Sequence, residues 1–114
     1  MRKKTIRKVQ KEFDDFKCLL IRKGSKAEIF ENCTKICFYS CMKEYFELNR
    51  KIPLTYLQIA YHINGFLDLA WKYFLKYEEL RYDTWEALDG LMQCMMEHEW
   101  VRIITREERK HMMP

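Results

Sequence analysis

A chain of 114 residues has room for one core and not for a cofactor-binding domain beside a substrate domain. Its 48% hydrophobic and 15% aromatic content excludes a disordered chain despite 33% charged residues, and three Gly and two Pro are too few for the closely spaced turns of a sandwich or barrel. The net charge of +4 hides an asymmetry: residues 1–23 carry nine Lys/Arg against three Asp/Glu, a local +6, and residues 77–99 carry seven acids against Arg81, a local −6.

In chain order, Ile6, Val9, Phe13, Phe16 and Leu20 recur at intervals of three and four and predict an amphipathic helix from about Thr5 to Lys23, stopped by Gly24. Ser25-Lys26-Ala27-Glu28 matches a capping box, in which the Ser hydroxyl accepts from the N3 amide, so a second helix is expected from there to about Leu48. Its inward stripe is read as Ile29 or Phe30, Cys33, Ile36, Cys37, Ser40, Cys41 and Tyr45. Pro53 lacks an amide proton and biases Ile52 away from helical geometry, which places a turn over Asn49 to Pro53. Leu54 to Ile63 then restores a helical period, Asn64-Gly65 interrupts it, and Phe66, Leu69, Ala70, Tyr73, Phe74 and Tyr77 resume it. The spacing fits two helices or one bent one. Asp83-Thr84-Trp85-Glu86 resembles a capping arrangement with Asp83 in the capping place, and Leu88, Leu91, Met92, Met95 and Met96 form the stripe of a last long helix. Val101 to Thr105 has strand-like composition, and Arg106 to Pro114 reads as a polar tail. The expectation is a single all-α domain over residues 1–114, a bundle of four to five helices with a short C-terminal strand or extra helix, fraying over 1–4 and 106–114.

The apolar runs are short and interrupted, and the longest near-continuous ones, Cys18 to Ile21 and Val101 to Ile104, fall far short of the ~18 residues of a bilayer span. Lys8, Lys11, Glu12, Asp14 and Asp15 stand where a secretory signal needs an apolar stretch. Five cysteines is an odd number, and Cys33, Cys37 and Cys41 lie at helical spacing, so free or metal-bound thiols in a reducing cytoplasm are expected.

The most specific chemical pattern is a pair of spacings. Cys33-x3-Cys37-x3-Cys41 and Cys94-x3-His98 each put neighbouring side chains on one helix face, and two such pairs facing one another form a tetrahedral zinc clamp. The preferred set is Cys33, Cys37, Cys94 and His98, with Cys41 in place of Cys33 an equal alternative. Such a closed Zn2+ site is structural, because it leaves no position for a reacting water. The competing reading takes the cysteine stripe as plain apolar packing. Phosphate-binding loops, nucleophile elbows and the second His of a metalloprotease motif are missing from the sequence, so no enzymatic activity is expected.

Two binding readings follow from the charge asymmetry. An acidic segment with aromatic neighbours fits a basic groove on another, nucleic-acid-binding protein, and the candidate contacts are Glu78, Glu79, Asp83, Glu86, Tyr82 and Trp85. Alternatively, Arg2, Lys3, Lys4, Arg7 and Lys8 touch DNA phosphates while Leu54 to Tyr73 imitates a helix-turn-helix, although Phe66 to Trp71 offers bulk and an acid where a groove-reading helix needs polar or basic side chains.

Taken whole, the size, the helical plan, the Cys33/Cys37/Cys41 stripe with Cys94 and His98, and the acidic stretch from Glu78 to Glu99 resemble the small helical proteins carried by phages and mobile elements of Firmicutes. Among these the chain is similar to the type II anti-CRISPR inhibitors. The resemblance implies a non-enzymatic inhibitor that docks on the CRISPR effector nuclease and prevents target-DNA loading, with the acidic residues facing a basic nucleic-acid channel or lobe.

Overall fold

The first helix, α1 (Arg2–Lys23), turns Val9 and Phe13 into the core, flanks them with half-buried Ile6 and Phe16, and ends where the Gly24 amide donates to the Leu20 carbonyl at 2.8 Å. The computed structural model describes residues 1–77 and 80–112, with side chains as far as Trp100. Beyond α1 they form α2 (Lys26–Glu31), α3 (Cys33–Leu48), α4 (Leu54–His62), α5 (Phe66–Lys76) and α6 (Trp85–Met112), and no strand. The all-α expectation holds, with one more helix than the four to five expected and no C-terminal strand among the described residues.

The capping box at Ser25 forms, its Oγ accepting from the Glu28 amide at 3.2 Å. The helix it starts does not run unbroken to Leu48. It bends at Asn32, where φ is −93° and ψ is 11°, and where the side-chain amide donates to the Glu28 carbonyl at 2.8 Å in competition with the backbone. The inward face of α3 also differs from the expected stripe: Phe38, Tyr39, Met42, Tyr45 and Phe46 are buried, whereas Cys33 and Cys37 are exposed. This helix carries apolar residues almost all round, so two stripes compete, and the aromatic one removes more apolar area from water.

Pro53 opens α4, its carbonyl accepting from the amides of Tyr56 at 3.0 Å and Leu57 at 3.3 Å. Asn64-Gly65 separates two helices rather than bending one, because Gly65 takes φ +69°, a left-handed conformation that costs other residues steric energy. In α6, Leu88, Leu91, Met92 and Met95 are buried as their spacing predicts. The Val101 to Thr105 segment continues α6, because helical hydrogen bonding propagates cheaply from an established helix into five β-branched and polar residues. Arg106 to Met112, expected to fray, is helical too, while Met113 and Pro114 lie outside the described residues.

Polar struts fix how the helices meet. Three phenols, one each from α3, α4 and α5, donate to α6: Tyr45 to Asp89, Tyr56 to Gln93 Oε1 at 2.9 Å, and Tyr73 to Glu99 Oε1 at 2.9 Å. Burial pushes the Tyr45 and Tyr73 phenols well above their ordinary range, and the hydrogen bonds to the carboxylates push them further. On the other side, α1 serves the ends of its neighbours. Arg2 donates from Nη1 to the Asn49 carbonyl and from Nη2 to the Glu47 carbonyl, both at 2.9 Å, at the close of α3. Lys8 Nζ donates to the Ala60 carbonyl at 2.7 Å and the Ile63 carbonyl at 2.5 Å, at the close of α4. Glu12 accepts Lys8 on Oε2 at 2.6 Å and the Leu67 amide on Oε1 at 2.9 Å, so it caps α5, whose own capping residue, Gly65, has no side chain. Cations at helix C-termini and a carboxylate at an N-terminus complement the backbone dipoles.

Candidate binding surface

The zinc clamp expected from Cys33, Cys37, Cys94 and His98 does not assemble. Among the described residues no three His, Cys, Asp or Glu side chains come together in a way that holds a metal ion. The reason is angular. Each four-residue step advances about 40° around a helix of 3.6 residues per turn, so a stripe that passes Cys41 on the flank of α3 has turned away from the core by Cys33. Cys33 and Cys37 are accordingly exposed, and Cys41 is half-buried, its thiol pushed up by burial and then by Glu44. His98 is exposed on α6, with Nδ1 2.9 Å from the carbonyl oxygen of Cys94 and its ring against those of Tyr73 and Tyr77. Neither the preferred four residues nor the set with Cys41 fits Zn2+.

The basic N-terminal segment is not an arm. Of its five cations, Arg2 and Lys8 are spent on the carbonyls that end α3 and α4, leaving Lys3, Lys4 and Arg7 exposed. Two helices, α4 and α5, meet at Asn64-Gly65, but the leading end of α5 is turned inward. Phe66, Leu67 and Ala70, at the end of α5 that must enter a groove, are buried, and Glu12 occupies the Leu67 amide.

The acidic turn before α6 is laid out differently from its sequence reading. Thr84, not Asp83, caps α6, its Oγ1 accepting from the Ala87 amide at 3.1 Å. Asp83 is thereby released from backbone duty and stands exposed with Glu86. Between them Trp85 leaves 46% of its surface open. Tyr82 is held inward, edge-on to Phe38 at 5.8 Å and to Phe74 at 5.3 Å between ring centroids, so it anchors the turn from below. Glu78 and Glu79 lie outside the described residues.

Comparison with models of protein families, with curated proteins and with solved structures finds no match in any of the three.

Sequence reasoning missed a second exposed region. At the far end of α1 and on α2, Ile21 is 74% and Phe30 is 81% exposed; Phe30 is one of the two residues that spacing offers to an inward stripe, whereas Ile21 stands about 100° from the centre of the α1 stripe. The readable signal was the clustering of Arg22, Lys23, Lys26, Glu28 and Glu31 around them, a charge density that a buried helix pair does not carry. The Met92 and Met95 side chains, by contrast, are core and present no partner face. No described helix is long and apolar enough to cross a membrane.

Proposed function

We propose that the chain is a non-enzymatic binding protein that docks on a nucleic-acid-handling partner and blocks its DNA loading, a role of the kind the resemblance to type II anti-CRISPR inhibitors implies. The observation that carries this reading is the exposed Trp85 between two exposed carboxylates, Asp83 and Glu86, on a turn held by the Thr84 cap and the Tyr82 anchor. A rigid indole is the side chain that most often dominates a protein interface, and flanking acids steer it to a basic surface of the sort that receives nucleic acid. Such a docked acid competes with phosphate for the same cations.

The alternative of direct DNA binding has less support, because α1 spends two of its cations on helix ends and α5 buries its leading residues. Both readings are tested by one titration of the chain into a type II effector nuclease bound to its guide, with DNA loading read by gel shift. Trp85→Ala is expected to raise the inhibiting concentration by about 30-fold, the scale of a hot-spot truncation, and Asp83→Lys with Glu86→Lys to abolish inhibition. Unaltered inhibition by both variants refutes the proposal, and a shift of DNA by the isolated chain that steepens at low salt supports the alternative.

A further inference from the structure

Packing does not explain where the thiols of α3 stand. Cysteine is among the residue types most often buried, yet Cys33 and Cys37 are exposed one turn apart on α3, with half-buried Cys41 a further turn along the same edge. From Cys33 to Cys41 this helix carries no carboxylate. Its one charge there, Lys35, is on the opposite side, 3.5 Å from Asp68 Oδ1 and with its ammonium 4.9 Å from the centre of the Phe16 ring. The edge therefore offers thiols and no acid. Residues four apart on a helix have Cβ atoms ~5–6 Å apart, so one torsion in each side chain brings the Cys33 and Cys37 sulfurs to either side of a single ion. Cys33 and Cys41 are about 12 Å apart along the axis, at ~1.5 Å of rise per residue, and cannot share it.

We propose that Cys33 and Cys37 form a binding site for one soft monovalent metal ion, Cu(I), held by two thiolates across a single turn of α3. Coordination number decides the metal. Zn2+ asks for four ligands, and among the described residues no third His, Cys, Asp or Glu completes a set, whereas Cu(I) prefers sulfur and is satisfied by two thiolates. Each thiol gives its proton to solvent as its sulfur bonds the metal, so two protons leave for one ion and the copper keeps its oxidation state. Cys41 is the poorer partner for Cys37, because it packs half-buried against the core, where a thiolate is costlier. The site shares no residue with the Trp85 turn, and it stands or falls independently of the docking role.

The test is an anaerobic titration of the full, reduced chain with Cu(I) against the chromogenic chelator bicinchoninate, followed by X-ray absorption of the loaded protein. A single Cu(I) per chain in a shell of two sulfurs is expected. Cys33→Ser and Cys37→Ser are each expected to weaken binding by ~100-fold, and Cys41→Ser by no more than ~3-fold. Helix content and melting temperature are expected to stay unchanged in the first two variants, since both thiols are exposed, so unfolding does not mimic the loss. Zn2+ offered in the same way is expected to be lost on desalting. Copper held at full affinity by the Cys33→Ser chain overturns the proposal, because it moves the ion to Cys37 and Cys41 or to unrelated thiols. So does a shell of three sulfurs, or a stoichiometry below one ion per chain, which means that two chains share the metal.

Discussion

Replacing Lys8 by Met isolates a concentrated polar contact between α1 and the end of α4. The ammonium makes three hydrogen bonds, to the Ala60 and Ile63 carbonyls and to Glu12, and the Lys8 and Glu12 side chains are only 20% and 19% exposed. Methionine keeps the unbranched stem beside the Phe66 ring, so packing changes little, but two carbonyls at the end of α4 lose their donor and Glu12 loses its counter-charge. Each bond to a charged group is worth ~1.5–3 kcal/mol when dry, and the remaining solvent access reduces the sum, giving a loss of about 2–4 kcal/mol. At roughly 4 °C per kcal/mol for a domain of this size, the melting temperature falls by ~8–16 °C. Urea unfolding followed by circular dichroism measures the loss, and a double-mutant cycle with Glu12→Gln measures the coupling within it. Lys11→Met is the control: Lys11 and Asp15 also sit 2.9 Å apart one helix turn from each other, but 78% and 66% exposed, and the midpoint is expected to stay where it is. A Lys8 variant as stable as the Lys11 one, or a cycle without coupling, refutes the assignment of α1 as the element that closes α4 and opens α5.

Alkali tests the phenol struts. Burial raises the Tyr39, Tyr45, Tyr56 and Tyr73 phenols above the ordinary value near 10, so their contribution to stability is complete below that pH and drains away as pH climbs beyond it. Tyrosinate absorbance is therefore expected to rise in two stages, the second coinciding with loss of helix; a single stage near pH 10 with the fold intact contradicts it. At Gly65 an added Cβ meets nothing within 4 Å, so Gly65→Ala is charged only with the backbone cost of φ +69°. A loss of ~1 kcal/mol in urea unfolding is expected, and no loss at all shows that the turn relaxes.

Much of the helical plan was readable because single stripes leave no choice. Val9 and Phe13 on α1, and Leu88, Leu91, Met92 and Met95 on α6, have polar residues opposite them. On α3 the cysteines and the aromatics made two stripes of similar width, and only the volume offered by α1, α5 and α6 selects between them. That choice also removed the zinc site, since the clamp depended on the losing stripe. Lys8 and Arg2 illustrate a different limit. A cation's reach to a carbonyl some fifty residues away is a tertiary fact, and in the sequence it looks the same as a cation facing phosphate. The acidic turn was legible as charge and aromaticity. Its register was off by one, because Asp83 and Thr84 are both good caps and adjacent.

The three phenols that meet α6 imply an order of events at the ribosome. Until residues beyond Trp85 emerge, Tyr45, Tyr56 and Tyr73 donate to water instead of to α6, and the apolar floor under Leu88 and Met92 is wet. The nascent chain is then a half-built cup, its apolar floor open to chaperones and to other nascent chains until α6 covers it.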